Sequence, residues 1–340
     1  MNLDKETEYP SKFLTNLLKS RQLENTIYLK NGTETTSDPK IISKLLSENM
    51  NNIHSARFLN PSLIKNFKEH IKKSNIQLNG EILESEVIEA IHKQRNGRSP
   101  GLDGIVAEFY KTFDKQLSPI LTKMYNLILK EKKIPENFKT AIIRFIDKKK
   151  GESELPSGYR PISLLNLDYK ILSSILSKRL QTVLPQLIDS NKAYIKNRNI
   201  IENILNLDSL FYLEHNYKYF LLSDFSSAFD SLNHEWINIV LENSNLGDSF
   251  CDWIKFLLQD MFAYPIIENK ISPDIINLNA GVRQGDGLSG LLFNLALEPL
   301  VTALKKLKNA AFDFADDIGL ATKDKDTLKE TLKIFNKYQI

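Results

Sequence analysis

Two adjacent carboxylates, Asp316 and Asp317, close the run Phe314-Ala315-Asp316-Asp317, with an alternating segment before them and a short apolar segment, residues 318–321, behind. Period-two patterning about a polar two-residue tip predicts a β-hairpin carrying the acids at its turn. Such a pair has a bland reading, because Asp tolerates turn geometry and bonds its own backbone. A second acidic position argues for more. The aromatic and aliphatic run 219–223 ends on Asp224, which puts a carboxylate where a buried strand is expected to leave the core. Carboxylates from two neighbouring strands can hold two Mg²⁺ ions about 3.5–4 Å apart, the arrangement that nucleotide polymerisation uses to activate a hydroxyl and a leaving pyrophosphate. Mg²⁺ suits the task because it takes hard oxygen ligands and keeps places for substrate phosphates.

Asp224 is followed by Ala228-Phe229-Asp230, then by Arg283-Gln284-Gly285-Asp286-Gly287-Leu288-Ser289, Leu291-Leu292-Phe293-Asn294 and the hairpin. In that order the segments resemble the motif set of non-LTR (LINE-type) retrotransposon reverse transcriptases. Upstream, the segment from Ser157 to Asn166, which holds Tyr159-Arg160-Pro161, resembles the fingers motif of that family. The resemblance implies an α+β fold of the right-hand polymerase type. Residues 1–95 would be a helical connector, 96–215 the fingers and 216–340 a palm with an antiparallel sheet backed by helices, the reverse transcriptase domain beginning near 120. The implied activity is RNA-directed DNA polymerisation, with an RNA template, a DNA primer, dNTP and two Mg²⁺ ions, Mn²⁺ being the substitute.

By the same resemblance Asp224, Asp316 and Asp317 are the catalytic and metal-binding carboxylates, and the Phe225 carbonyl completes the triphosphate-side metal. Lys148 and Arg160 are assigned to the β- and γ-phosphates. Phe229 falls where an aromatic blocks a 2′-hydroxyl beneath the sugar, although a core role explains it equally well. Gln284 and Gly285 belong beside the nascent base pair, and Arg283 near the template strand. The chain departs from the family in having Gly287 and Gly290 at two proline positions, which predicts a looser loop. The stretch 300–314 is short, and no thumb, downstream lysine motif or upstream endonuclease is recognised. A truncated, catalytically silent relic that only binds nucleic acid is therefore the competing reading; a group II intron maturase or telomerase-like polymerase fits the wording less well.

Positioning these groups requires a sizeable core, which 340 residues at 42% hydrophobic content can supply. A net charge of +3 is a weak argument for a polyanionic partner, so local basic clusters such as Lys148-Lys149-Lys150 must carry it. Cys251 is the single cysteine, which excludes an internal disulfide or a multi-cysteine zinc site. The acidic N-terminus lacks a signal-peptide core and no apolar run reaches the roughly 20 residues of a membrane span, so a soluble intracellular protein is expected.

Local signals place the framework. Asp38-Pro39 predicts a helix start, Lys30-Asn31-Gly32 a turn, and Ser85 a cap for a helix ending near Asn96-Gly97. The loop around Gly101-Leu102-Asp103-Gly104 reads as a connector or as a template contact. Residues 105–131 carry helical patterns, and residues 140–146 read as a strand. Helical spacing also covers 167–187, where Lys178 and Arg179 are expected opposite the core, then 234–243, 248–262, 288–307 and the stretch around Leu328, Leu332 and Phe335. Residues 264–267 and 275–278 suggest a hairpin. The segment 188–195 resembles the family stretch that leads towards the first catalytic strand; Arg198 beyond it suits a template phosphate or a solvated loop equally. His234 is read as a surface or capping residue.

Overall fold

Asp38 stands in extended backbone and accepts from the Lys40 N–H at 2.8 Å, with Pro39 at the first helical position, so helix α1 (Pro39–Ile53) starts where the sequence predicts. The computed structural model describes residues 27–55, 58–135, 137–149, 151–213 and 216–338. The N-terminal 26 residues and Lys150 of the lysine run lie outside them. Ahead of α1, strands β1 (Leu29–Asn31) and β2 (Glu34–Thr36) form a hairpin around Gly32, where a turn is expected, and add a strand pair to the helical connector.

Helices α2 (Pro61–Phe67), α3 (Glu84–Lys93), α4 (Ala107–Thr112) and α5 (Asp114–Glu131) lead to strands β3 (Ala141–Asp147) and β4 (Tyr159–Leu165). Then come α6 (Leu167–Gln181), α7 (Leu184–Leu187), α8 (Ile200–Leu213), β5 (Tyr219–Ser223), α9 (Ala228–Ser231), α10 (His234–Asn243) and α11 (Asp248–Leu258). Strands β6 (Phe262–Ile267), β7 (Lys270–Ile271) and β8 (Ile276–Asn277) precede the long α12 (Ser289–Lys306), the hairpin β9 (Ala310–Phe314) and β10 (Asp317–Thr322), and α13 (Lys325–Lys337). The order mixes helix and sheet as an α+β chain does. No helix among the described residues is long and apolar enough to cross a membrane.

Several boundaries move for identifiable reasons. Ser85 lies inside α3 rather than capping it, because Glu86 Oε2 already accepts from the Leu83 N–H at 2.9 Å. That helix stops at Lys93, where the Gln94 side chain turns back to bond the Ala90 carbonyl at 3.1 Å. The run 167–187 divides after Gln181, since Pro185 has no N–H to continue the ladder. Helix α11 ends at Leu258 because Gln259 is extended and Asp260 is left-handed at φ +47°.

Two larger sheets hold the rest. One has the order β4-β3-β6-β7 with β8 also on β6, and it joins β3 to β6 in parallel. The other has the order β5-β10-β9 and is antiparallel throughout. Helix α12 is buried on all sides from Ser289 to Leu304 apart from Thr302, which is how an apolar helix behaves at the centre of a core. It packs on α10, α13 and β9, and a continuous apolar cluster runs from Met50 through α6, α10 and α12 to Tyr338. Strand β5 is the exception to the predicted burial. It lies at a sheet edge with one face on the core, and Leu222 on the other face is 86% exposed.

Candidate active site

The ladder between β5 and β10 pairs Ile318 with Ser223, so one further step along both strands sets Asp224 opposite Asp317. Between β9 and β10 the turn consists of Ala315 and Asp316, while Asp317 is the first residue of β10. The three carboxylates thus share one end of one sheet, Asp316 half-buried and the others exposed. Burial is the first cause that raises the Asp316 carboxyl above its ordinary range, and the negative charges of Asp317 and Asp224 add to it. Asp224 is therefore within electrostatic reach of Asp316, although the chain separates them widely.

A hard divalent cation fits this donor set, which is all oxygen and mutually repulsive. No group of three His, Cys, Asp or Glu among the described residues is gathered closely enough to hold a metal ion. An ion here would have to complete its shell with substrate or water oxygen. Phe225, whose carbonyl was expected to contribute, is half-buried against the core directly after Asp224.

The hairpin tip is held from outside its own strands. Ala315 is left-handed at φ +55°, a rare conformation for alanine, and the buried Asn191 side chain bonds both of its backbone groups. Behind the tip, the fully buried Asp313 accepts from Ser190 Oγ, and its carbonyl accepts from the Lys192 N–H at 3.1 Å and from Asn203 Nδ2 at 2.9 Å. Arg198 turns inward, donating to the Ile188 and Asn191 carbonyls at 2.6 and 2.9 Å. The segment 188–199 is thus a cradle for the hairpin.

Phe229 stacks on Phe293 with ring centroids 4.9 Å apart and meets Tyr194 edge-on at 6.0 Å. Tyr194 is near enough to Asp316 for that charge to raise its phenol further, after burial. The predicted loosening at Gly290 is corrected by the same ring. Gly290 lies buried in the first turn of α12, and a Cβ there would come within 2.5 Å of Tyr194 Cγ, so the missing side chain makes room for the aromatic.

Gln284 joins two elements, its carbonyl accepting from the Ser163 N–H of β4 at 2.8 Å and its Nε2 donating to both oxygens of Asp230 at 3.0 Å. Gly285 is at φ +111°, and a Cβ there would lie 2.9 Å from the Ser163 carbonyl oxygen. Arg283, expected near a template strand, is only 4% exposed. Its guanidinium donates to the Lys139 carbonyl and lies over the Tyr169 ring at 5.3 Å, so it braces the loop from within. His234, expected at the surface or as a cap, is neither: Asn233 caps α10, accepting from the Trp236 N–H at 3.0 Å, and the part-buried His234 Nε2 lies 2.7 Å from the distant Gly281 carbonyl.

Arg160 pairs with Ile146 across the β3–β4 ladder, and Lys148 continues the same face two residues beyond Ile146. Arg160 is exposed, whereas the Lys148 ammonium donates to the Ser157 carbonyl at 2.7 Å and its charge reaches Asp230. Lys178 and Arg179 are tied to Glu89 and Glu86 of α3. Beside the exposed face of β3 and β4 lies a cavity of about 660 Å³, lined by Arg95, Arg98, Arg144 and Lys170 as well as Gly285. Lys93, Arg95 and Arg98 reach it from one short segment, and the fold adds Arg144 and Lys170 from elsewhere in the chain. Asn191 and Tyr194 fall in the segment 188–195 and Asp230 in the motif after Asp224, but their contacts with Ala315, Phe229 and Gln284 are set by the fold alone.

A family model described as reverse transcriptase (RNA-dependent DNA polymerase) matches residues 146–339. The Transposon TX1 uncharacterized 149 kDa protein of Xenopus laevis is 28% identical over 254 residues, covering 70% of this chain and 19% of that protein. The Pol polyprotein from the type-2 retrotransposable element R2DM of Drosophila melanogaster is 29% identical over 235 residues, covering 65% and 22% respectively. The probable RNA-directed DNA polymerase from transposon BS, also of Drosophila melanogaster, is 26% identical over 216 residues, covering 62% and 24%. The chain spans about a fifth to a quarter of the length of these relatives.

Proposed function

Since the chain belongs to the reverse transcriptase family, we propose that it is the fingers and palm of an RNA-directed DNA polymerase of the non-LTR retrotransposon kind. In this reading 96–215 are fingers and 216–340 palm, with RNA template, DNA primer and dNTP as substrates. The observation that carries it is the convergence of Asp224 on Asp316 at the end of the β5-β10-β9 sheet.

Asp224 and Asp316 would hold Mg²⁺, or Mn²⁺ in its place, with Asp317 adjacent and the Phe225 carbonyl as a further oxygen. Divalent ions at such a site, when bound, activate a primer 3′-hydroxyl and stabilise charge on the entering and leaving oxygens. The chain's own residues do the remaining work. Arg160 and Lys148 neutralise the outer phosphates of the nucleotide from one face of the β3–β4 hairpin. Phe229, braced by Phe293, supports the sugar and leaves no room for a 2′-hydroxyl. Gln284 and Gly285 border the nascent pair. The basic cavity beside them receives single-stranded template through its phosphates.

Primer extension on an RNA template with Mg²⁺ tests the proposal. Extension that Asp224→Ala and Asp316→Ala each abolish is the expected result. Hybrid binding without extension, under Mg²⁺ and Mn²⁺ alike, would leave the silent nucleic-acid binder as the better reading.

A further inference from the structure

Asp230 follows Phe229 directly and has its side chain 12% exposed, yet it has no place in the chemistry above. Gln284 Nε2 donates to both of its oxygens at 3.0 Å. On its other flank stands His54, at the C-terminal end of α1, with Nε2 at 3.9 Å from Asp230 Oδ1. His54 Nδ1 lies 2.7 Å from the Ala280 carbonyl, which can only accept, so the proton of the neutral ring sits on Nδ1. The ring therefore walls the carboxylate without donating to it, and Gln284 supplies its short hydrogen bonds among the described residues.

The backbone around the pair is equally constrained. The Gly281 N–H donates to the Leu232 carbonyl and the Val282 N–H to the Phe229 carbonyl, each at 2.7 Å. Gly281 is at φ +83°, and a Cβ there would stand 2.4 Å from the Asp230 carbonyl oxygen. Residues 281–284 are thus laced against 229–232 at a separation only glycine permits. An amide whose nitrogen is committed to a carboxylate can turn only its oxygen elsewhere, since a carboxylate accepts and never donates.

We propose that Asp230 is a positioning residue that fixes the Gln284 amide so that Oε1 faces the bound nucleotide as an acceptor, with His54 of the upstream helix walling the carboxylate's other flank. The proposal rests on the reading of Gln284 as a nucleotide contact. It adds that this contact recognises a donor, such as a sugar hydroxyl. It also gives the segment before the fingers a direct part in shaping the site.

The full chain allows two tests that need no turnover. In a double-mutant cycle on thermal unfolding, Gln284→Glu sets two carboxylates against each other and lowers stability, and adding Asp230→Asn restores most of the loss through an amide facing a carboxylate. Additive effects would overturn the pairing. In the second test, a matched dNTP binds with Mg²⁺ to the chain on an RNA–DNA hybrid with a dideoxy-terminated primer. Asp230→Asn is expected to weaken it about tenfold, the scale of one charge-assisted hydrogen bond, and His54→Phe to weaken it less. Equal dNTP affinity in the wild type and Asp230→Asn would overturn the positioning role. Where primer extension is measurable, Asp230→Asn should raise KM and leave kcat within about threefold, as loss of a uniform binding contact does. A change confined to kcat would sink the proposal. Absent extension in the wild type would sink the polymerase reading and leave the coupling and binding results to decide this one.

Discussion

The Asn191 side chain donates to the Ala315 carbonyl at 3.1 Å and accepts from the Ala315 N–H at 3.3 Å, closing both backbone groups of the residue just before Asp316. A left-handed alanine costs roughly 1–2 kcal/mol, and this buried amide offsets it. Asn191→Ala is predicted to destabilise the chain by about 2 kcal/mol and to lower primer extension at least tenfold through a displaced Asp316. Urea unfolding and extension assays check it. An Asn191→Ala chain with wild-type extension would show that the hairpin tip holds itself.

Gly290 and Tyr194 make an unusual packing prediction. Alanine is normally the better helix residue by about 1 kcal/mol, yet Gly290→Ala should destabilise by about 1–3 kcal/mol because the new methyl meets the base of the Tyr194 ring. Adding Tyr194→Ala to Gly290→Ala should recover part of that loss. Additive losses in denaturant titrations would mean that the ring moves aside freely.

Buried and exposed cations should separate cleanly. Arg283→Ala removes the guanidinium that bonds the Lys139 carbonyl and covers the Tyr169 ring, so about 3 kcal/mol of stability should be lost with little effect on the salt dependence of hybrid binding. Exposed Arg98 lines the basic cavity, and Arg98→Ala should keep stability within about 0.5 kcal/mol while reducing the salt slope by about one. An unchanged slope in Arg98→Ala would move the template path elsewhere.

Acidity behind the hairpin predicts a pH dependence of stability. Burial, and then the charge of Glu298, raises the Asp313 carboxyl from 3.8 to about 6, against opposing help from Ser190, Lys305 and Lys192. The native chain therefore holds a proton that the unfolded chain has lost between pH 4 and 6, so stability falls as pH rises through that window and levels off above it. The group's share is at most roughly 3 kcal/mol. Asp313→Asn should raise stability at pH 7 and flatten the slope in part, because Asp168 and Asp230 also titrate near 6. A slope unaltered by the substitution would place the proton on other groups.

Much of the frame is legible in the residues alone. The Asp38-Pro39 cap, the hairpin around Asp316 and the largely apolar α12 rest on signals within a few residues, and the backbone obeys those wherever the tertiary fold does not oppose them. The acidic positions can be named for the same reason, since residue type and strand ends are local. Their meeting cannot: Asp224 reaches Asp316 only through the β5–β10 register. Nor does the sequence reveal that Arg283 is walled in by Tyr169, that β6 lies parallel to β3, or that His54 stands against Asp230. Those relationships join segments far apart in the chain, and the packing free energy of the whole core, not the preference of any short stretch, decides them.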